Sequence, residues 1–131
     1  IEDLKELTIK QLKDGIPVWM GAHILKLRDK KSGVLDIRLY NYKETLNFKP
    51  LTKKESLDLH DIEMHHAMTF CGVHLVENKP IRWKVDGYYI MNDNFFNEFV
   101  LNVIIEKKYL SKEQLELLEQ EPIEIEVDEP F

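Results

Sequence analysis

Short apolar runs, separated by turn residues and helix-capping signals, recur along the whole of this chain. Runs of this length suit β-strands and are too short for a helix that spans a membrane. Apolar and polar residues alternate in 81–85, which indicates a strand with one face in water. The run 100–105 is dominated by β-branched residues and indicates a buried strand. The pattern predicts strands at 16–20, 65–75, 81–85, 88–91, 100–105 and, with an acidic face, 123–128.

Helix signals stand between these runs. The first helix begins with acidic residues, places leucines along one face and stops at Gly15. Capping boxes, such as Thr52 with Glu55, mark two further helix starts. The predicted helices are 2–14, 53–59, a short one capped by Asn92 or Asp93 that runs through Glu98, and one from Ser111 that ends before Pro122. Four to six strands with peripheral helices predict a single α+β domain over residues 1–131, with a partly closed antiparallel barrel.

Charge and cysteine content narrow the classes of function. The net charge is −6, and the basic residues are interspersed with acidic ones, so nucleic acid is not an expected partner. The single cysteine, Cys71, excludes an internal disulfide and fits a reducing compartment, so a cytoplasmic location is expected. No signal peptide or membrane span is recognised. The chain begins with Ile1, so further sequence is expected upstream or on another chain.

The segment 64–70, Met-His-His-Ala-Met-Thr-Phe, is the most informative part of the sequence for chemistry. On a strand, adjacent side chains point to opposite faces, so His66 shares a face with Met68 and Phe70. A buried imidazole with a lowered pKa would suit a general base or the partner of a thiolate. A histidine of the core without any catalytic role fits the same pattern and is the commoner case.

Two other chemical interpretations follow from the same region. Histidine and carboxylate side chains could hold zinc, but their spacing lacks the usual zinc motifs. Cys71 lies five residues beyond His66 and, by parity, on the opposite strand face, so the two cannot form a catalytic pair. Cys71 is instead predicted to be a small buried apolar residue. The candidate metal ligands are His60, Asp61, Glu63, His65, His66 and His74.

Several segments, in order and over almost the whole chain, resemble the bleomycin hydrolase and aminopeptidase C family of papain-like cysteine peptidases. Each segment alone is a modest signal, and their common order makes the resemblance strong. The residues 64–69 resemble the family's MTHAMT, in which the histidine is catalytic, and His66 is the matching residue. The other matching segments are 12–21 (family KDGxPVWFG), 31–36 with 39–42 (TGxLD and LYDY), 82–85 (the strand before ENSWG), 87–93 (GYxxMSD), 107–110 and 118–122.

The resemblance implies a papain-like fold divided between two halves. This chain would be the right-hand domain, an antiparallel barrel-like sheet with peripheral helices that presents His66. The nucleophilic cysteine would stand on a helix of an N-terminal half that is not present here. The resemblance also implies peptide substrates, a cytoplasmic aminopeptidase, a homo-oligomer that is commonly a hexamer, and no cofactor. The isolated chain is therefore expected to be inactive.

This sequence departs from the family after Val85, where the family has ENSWG and a loop. That segment carries the asparagine that orients the catalytic histidine and the tryptophan that shields it, and here Asp86 and Gly87 follow directly. A genuine deletion would leave a favoured two-residue hairpin turn. The interpretation that we favour from the sequence is that a mobile loop belongs between Val85 and Asp86 but is missing from these residues.

Smaller departures concern three other places. Ala22 and His23 stand where the family has Cys-Asp, and His65 replaces the family's threonine. The tail that ends at Phe131 resembles only the start of the family's terminus, so the usual restriction to free N-termini is in doubt. Three functions stay open from the sequence: half of a cysteine aminopeptidase, a non-catalytic remnant or interaction module of the same fold, and an unrelated metal-binding domain.

Overall fold

A seven-stranded sheet forms the centre of the computed structural model, which describes residues 1–123. Most of the strands are short, as the short apolar runs predict, and β4 is much the longest. Strands β1 to β7 are Val18–Ala22, Arg28–Asp29, Val34–Leu35, His66–Val76, Lys79–Val85, Tyr89–Asn92 and Val100–Ile104. The two-residue strands β2 and β3 flank the turn predicted around Ser32 and Gly33.

The strand order across the sheet is β2-β3-β6-β5-β4-β1-β7. The sheet curls into a half-barrel, and β2 and β7 form its two open edges. Five of the six neighbouring strand pairs are antiparallel, as the predicted antiparallel barrel-like sheet requires, and one pair, β3 with β6, is parallel. The parallel pair follows from the chain path: β3 and β6 are not joined by a hairpin, and the connection between them contains two helices and two strands.

Five helices surround the sheet, and their starts follow the capping signals. Both capping boxes form, since the Thr52 and Ser111 side chains each accept from the backbone N–H three residues on. The helix predicted at 2–14 ends at Lys13, and Gly15 follows it with a φ of 77°. Helices α1 to α5 are Glu2–Lys13, Tyr42–Thr45, Lys53–Asp58, Asp93–Phe99 and Lys112–Leu118. No helix among residues 1–123 is both long and apolar enough to cross a bilayer.

The concave face of the sheet and helix α4 enclose the core. Three aromatic rings lie at its centre: Phe96 of α4 stacks on Phe70 at 5.3 Å and on Trp83 at 4.7 Å between centroids. All three are fully buried. Helix α1 joins this core through Lys5, whose Nζ lies 2.7 Å from Asp93 Oδ2. The other oxygen of Asp93 accepts from the indole N–H of Trp83 at 3.1 Å.

Two predictions at the C-terminal side need correction or fall outside the description. The run 100–105 was predicted to be buried, but β7 is an edge strand with alternating burial, and Ile104 is 68% exposed. The β-branched residues correctly predicted a strand, but residue type does not distinguish a strand at the edge of a sheet from one at its centre. The acidic-faced strand predicted at 123–128 lies beyond the described residues except for Ile123, which is not in a strand.

Candidate active site

Strand β4 extends beyond its neighbour β5, and His66 is the first residue of that extension. On one side β4 pairs with β1 from Ala22↔His66 to Val18↔Phe70. On the other side the register with β5 begins only at Phe70↔Val85. Asp86, just after β5, exchanges hydrogen bonds with Thr69, so the second ladder ends there. Within the described chain, His66 therefore has a strand partner on the β1 side alone.

The side chain of His66 is exposed, although parity places it on the same face as buried Met68 and Phe70. The interpretation of His66 as an ordinary histidine of the core was therefore wrong, whereas the peptidase interpretation requires the exposed position at the edge of a strand that His66 has. The physical reason is that the core ends near Met68, because β5 does not continue alongside the start of β4. His66 stands at the open rim of the half-barrel, where an approaching group could reach its ring.

The three residues before His66 are held by side chains rather than by a backbone ladder. The backbone N–H of Glu63 donates to His23 Nδ1 at 3.2 Å. The backbone N–H of Ile24 donates to His65 Nε2 at 3.3 Å. These two bonds join the segment 63–65 to the residues that follow β1. They extend the contact between the two segments beyond Ala22↔His66, the last pair of the β1–β4 ladder.

Met64 supplies a third point of attachment. Its sulfur lies over Gly21, where a Cβ would come within 2.3 Å of Met64 Sδ. The amide of Asn102 on β7 donates to the same sulfur at 3.0 Å, and its oxygen accepts from the N–H of Gly21 at 2.8 Å. Gly21 is needed here because a side chain would displace Met64.

His23 is the residue of this region that sequence reasoning missed, apart from its departure from the family's Cys-Asp. It is 6% exposed, and its ring centroid lies 4.5 Å from that of His65 in an edge-to-face arrangement. Its Nε2 is buried and has no hydrogen-bond partner in the described structure. Burial lowers the pKa of His23, and the nearby His65 and Lys26 lower it further.

Cys71 is exposed, so the prediction that it is a small buried residue was wrong. It follows Phe70 on the opposite face of β4, away from the core, and its Sγ donates to the carbonyl of Lys84 at 3.5 Å. The parity argument that separates Cys71 from His66 agrees with this placement.

The six candidate metal ligands are not brought together: among residues 1–123 no three His, Cys, Asp or Glu side chains form a metal-binding group.

The chain passes from β5 to β6 through a tight turn of three residues, Asp86, Gly87 and Tyr88, with Asp86 and Gly87 at its centre. Both residues have positive φ, 50° and 71°, and the N–H of Tyr88 donates to the carbonyl of Val85 at 3.1 Å. Positive φ at both central residues is typical of the type I′ hairpin turn, which suits an Asp-Gly pair. Asp86 directly follows Val85 in the full sequence, so the missing loop that we expected between them is not part of this chain. The turn supplies neither an asparagine nor a tryptophan beside His66.

Several known proteins are similar to this chain in sequence, and one solved structure is also similar to it in fold. Aminopeptidase C from Listeria innocua is 36% identical over 98% of this chain, which matches 32% of that protein. Bleomycin hydrolase from Mus musculus is 32% identical over 100% of this chain, again matching 32% of the relative. The crystal structure of PepW from Lactobacillus rhamnosis superposes with a TM-score of 0.87 at 38% identity, covering 90% of this chain and 29% of PepW.

The alignments also describe length. This chain spans about a third of the length of the curated relatives that it matches. The alignment with the mouse protein has 146 positions against the 131 residues of this chain, so about 15 positions have no residue here. Missing residues relative to the family agree with a shortened β5–β6 connection.

The sequence profile of the Peptidase C1-like family matches residues 1–131, which is every residue of the chain. The half-barrel, the collinear segments and the similarity to aminopeptidases C and bleomycin hydrolases all agree with this match. The chain belongs to the Peptidase C1-like family.

Proposed function

We propose that this chain is the histidine-bearing, C-terminal part of a cysteine aminopeptidase, and that it is inactive until a cysteine-bearing segment completes the site. The observation that carries the proposal is the position of His66. Its imidazole is exposed at the start of β4, at a rim where β5 has already ended. This is the open geometry that an imidazole needs if its reaction partner comes from another part of the polypeptide.

In the proposed reaction His66 exchanges one proton with the cysteine and then with the substrate. The ring takes the proton of the thiol, and the thiolate attacks the carbonyl carbon of the N-terminal residue's peptide bond. The imidazolium donates that proton to the leaving amine as the C–N bond breaks, which leaves a thioester. His66 then accepts a proton from water as the water attacks the thioester, and it returns that proton to the departing thiolate, so the carboxylic acid is released and the free thiol and neutral imidazole are restored.

The remainder of the enzyme is part of the proposal. The relatives are roughly three times as long as this chain, so an N-terminal, cysteine-bearing half is the proposed partner and peptides are the proposed substrates. Residues 1–131 would fold as one domain of that enzyme, and assembly into a homo-oligomer is proposed from the resemblance. The cytoplasmic location stays a prediction from the single cysteine.

Reconstitution tests the proposal. The chain is co-expressed with the cysteine-bearing segment encoded with it, and kcat/KM is measured on aminoacyl reporter substrates. His66→Ala is expected to lower kcat/KM by roughly 10³-fold or more, because it removes both the activating base and the general acid. His74→Ala is the matched control, since His74 is exposed on the same strand, and it should change kcat/KM little.

A second measurement reports on the ion pair without turnover. The rate at which iodoacetamide alkylates the nucleophile at pH 6 follows the thiolate fraction, which a histidine partner raises. His66→Ala should slow this alkylation strongly, whereas His74→Ala should not. Turnover and alkylation that both survive His66→Ala would show that His66 is not the partner of the thiolate.

The turn at Asp86 and Gly87 favours a second candidate, a non-catalytic member of the family that serves as an interaction module. That turn stands where the family carries the orienting asparagine and its shielding tryptophan, and without the asparagine the imidazole loses the group that fixes its ring. If this candidate is right, the two parts associate in gel filtration but show neither turnover nor rapid alkylation. Rapid alkylation with measurable turnover excludes it.

A further inference from the structure

We propose that His23 and His65 act together as positioning residues that hold His66 at the rim only while both of their rings are neutral. We call these two residues the histidine pair. The proposal deepens the proposed function, because the positioned group is the histidine assigned there to catalysis. It assigns to this chain a pH-dependent element at the active-site rim, built from two side chains that have no catalytic contact of their own.

The geometry of the hydrogen bonds carries the argument. Each ring of the histidine pair accepts from a backbone N–H: His23 Nδ1 from Glu63 and His65 Nε2 from Ile24. A nitrogen that accepts must be unprotonated, so these bonds define the tautomer of each neutral ring. Protonation would place a ring N–H against a backbone N–H, and the bond would be lost.

The location of these bonds explains why their loss would affect His66. They attach residues 63–65 to the end of β1, and His66 follows directly, with Ala22 on that same side as its only strand partner within residues 1–123. β5 does not reach His66 from the other side. The remaining attachments of this segment are the contacts of Met64 with Gly21 and Asn102 and the burial of Ile62 just before it, and Met64 itself is 57% exposed.

The groups around His23 favour its neutral form. Lys26 adds positive charge and a protonated His65 would add more, whereas Asp61 opposes them, but Asp61 is already paired with Lys26 at 2.5 Å. Phe99 contributes an apolar ring 6.1 Å away. Glu63 offers its backbone N–H, and its side chain is exposed. A proton added at Nδ1 would face the N–H of Glu63 rather than an acceptor, and the buried N–H at Nε2 has no acceptor within the described residues either.

The direction of the pH effect follows from the lowered pKa of His23, which burial causes first. In the unfolded chain a histidine titrates near pH 6.5. Below that pH, the state in which residues 63–65 are detached from β1 binds a proton at His23, whereas the attached state does not bind it until the pH is lower. The attachment is therefore complete above about pH 6.5 and weakens as the pH falls from there toward the lowered pKa of His23.

Histidine NMR of this chain tests the pair without any nucleophile or substrate. The ring signal of His23 should titrate below the ordinary histidine value of about 6.5, because burial lowers its pKa. Between pH 7.5 and 5 the protection factors of the Glu63 and Ile24 amides should fall severalfold. A midpoint for His23 at or above about 6.5, or amide protection that ignores the titration of His23, would overturn the proposal.

A double variant separates titration from packing. In His23→Asn with His65→Gln, amide oxygens can accept the same two backbone bonds, but neither side chain titrates. Its amide protection should stay constant between pH 7.5 and 5, and the control His74→Asn should behave like the unmodified chain. A double variant that loses protection on acidification as the unmodified chain does would overturn the proposal. If it fails to fold, the titration of the unmodified chain alone decides.

Activity measurements distinguish this proposal from the proposed function. In the reconstituted enzyme the double variant should shift the acidic limb of the kcat/KM profile to lower pH while kcat near pH 7.5 is retained. Activity that survives His66→Ala would refute the catalytic assignment but leave the NMR result in force. Amides that ignore pH, together with activity abolished by His66→Ala, would refute the histidine pair alone.

Discussion

Asp36 connects the end of β3 to the start of helix α4, and its substitution gives a quantitative test of the fold. The residue is only 9% exposed. Its carboxylate accepts from Arg38 through the backbone N–H at 2.8 Å and through the guanidinium at 3.0 and 3.2 Å. It also accepts from Asn92 and, at 3.1 Å, from Asn94. Every one of these donors favours the charged form of the carboxyl group.

The pKa of Asp36 gives the size of the effect. Burial by itself would raise this pKa, but the hydrogen bonds from Arg38, Asn94 and Asn92 outweigh burial and lower it from 3.8 to about 2. A difference of nearly two units corresponds to about 2 kcal/mol of folding free energy. Arg38 is 71% exposed, so water screens its share, and roughly 1–2 kcal/mol is the expected contribution of the charge.

The sign of the pH dependence follows from the lowered pKa. Because the folded chain holds the carboxylate more strongly than the unfolded chain, the stabilisation is fully present above about pH 4. It is lost as the pH falls from there toward 2, where the folded chain also becomes protonated. Asp36→Asn removes the charge at every pH, so its effect should be large near pH 6 and should shrink as the pH falls from 4 to 2.

Urea unfolding of the chain and of Asp36→Asn, measured from pH 6 down to pH 2, is the assay. We expect a loss of roughly 1–2 kcal/mol at pH 6, with an unchanged m-value. Asp58→Asn is the control, because Asp58 forms a solvent-exposed pair with Lys54, and water screens such pairs so that they contribute little to stability. A loss for Asp36→Asn that is the same at pH 2.5 as at pH 6 would refute the electrostatic reasoning.

Three further substitutions test packing and capping by urea unfolding at pH 7. Phe96→Ala should cost about 3–5 kcal/mol, because Phe96 is fully buried in the aromatic centre of the core. Thr52→Ala should cost about 0.5–1 kcal/mol, since it removes the capping box with Glu55 from a short surface helix. Gly21→Ala should cost roughly 1–3 kcal/mol and shift the NMR signals of Met64, whose sulfur the new methyl group would displace. A cost below about 0.5 kcal/mol for Phe96→Ala or Gly21→Ala would contradict the packing described here.

The parts of the fold that could be predicted are those with a local physical signal. Both capping boxes were correct because a cap depends on residues three apart in sequence. The long strand β4 and the strand β5 were correct because burial on a pleated surface imposes a period of two. The helix α2 was not assigned and the parallel pairing of β3 with β6 was not predicted, since both depend on contacts between distant residues.

The candidate site was predicted through resemblance more than through pattern. Parity placed His66 with Met68 and Phe70, but parity could not show that the core stops before His66, since that depends on where β5 ends. Cys71 was expected to be buried from residue type alone, although it follows a buried residue on a strand with one exposed face. His23 had only one signal, its departure from the family, and its contact with His65 required the fold.

The family's orienting asparagine, which this chain lacks, and the histidine pair would both position the imidazole of His66, but from opposite sides of β4. The resemblance to bleomycin hydrolases and aminopeptidases C implies that the group that orients the catalytic histidine comes from the segment after the strand that matches β5. Here that strand ends in a tight turn, and Asp86 binds Thr69 instead of extending beside His66. The only side from which His66 can still be held within the described chain is that of β1, where Ala22 pairs with it and the histidine pair attaches the residues before it. If the chain keeps a catalytic role, its positioning has therefore moved from the β5 side to the β1 side. A pH-dependent positioning of His66 would then be a direct consequence of using imidazole rings for that task.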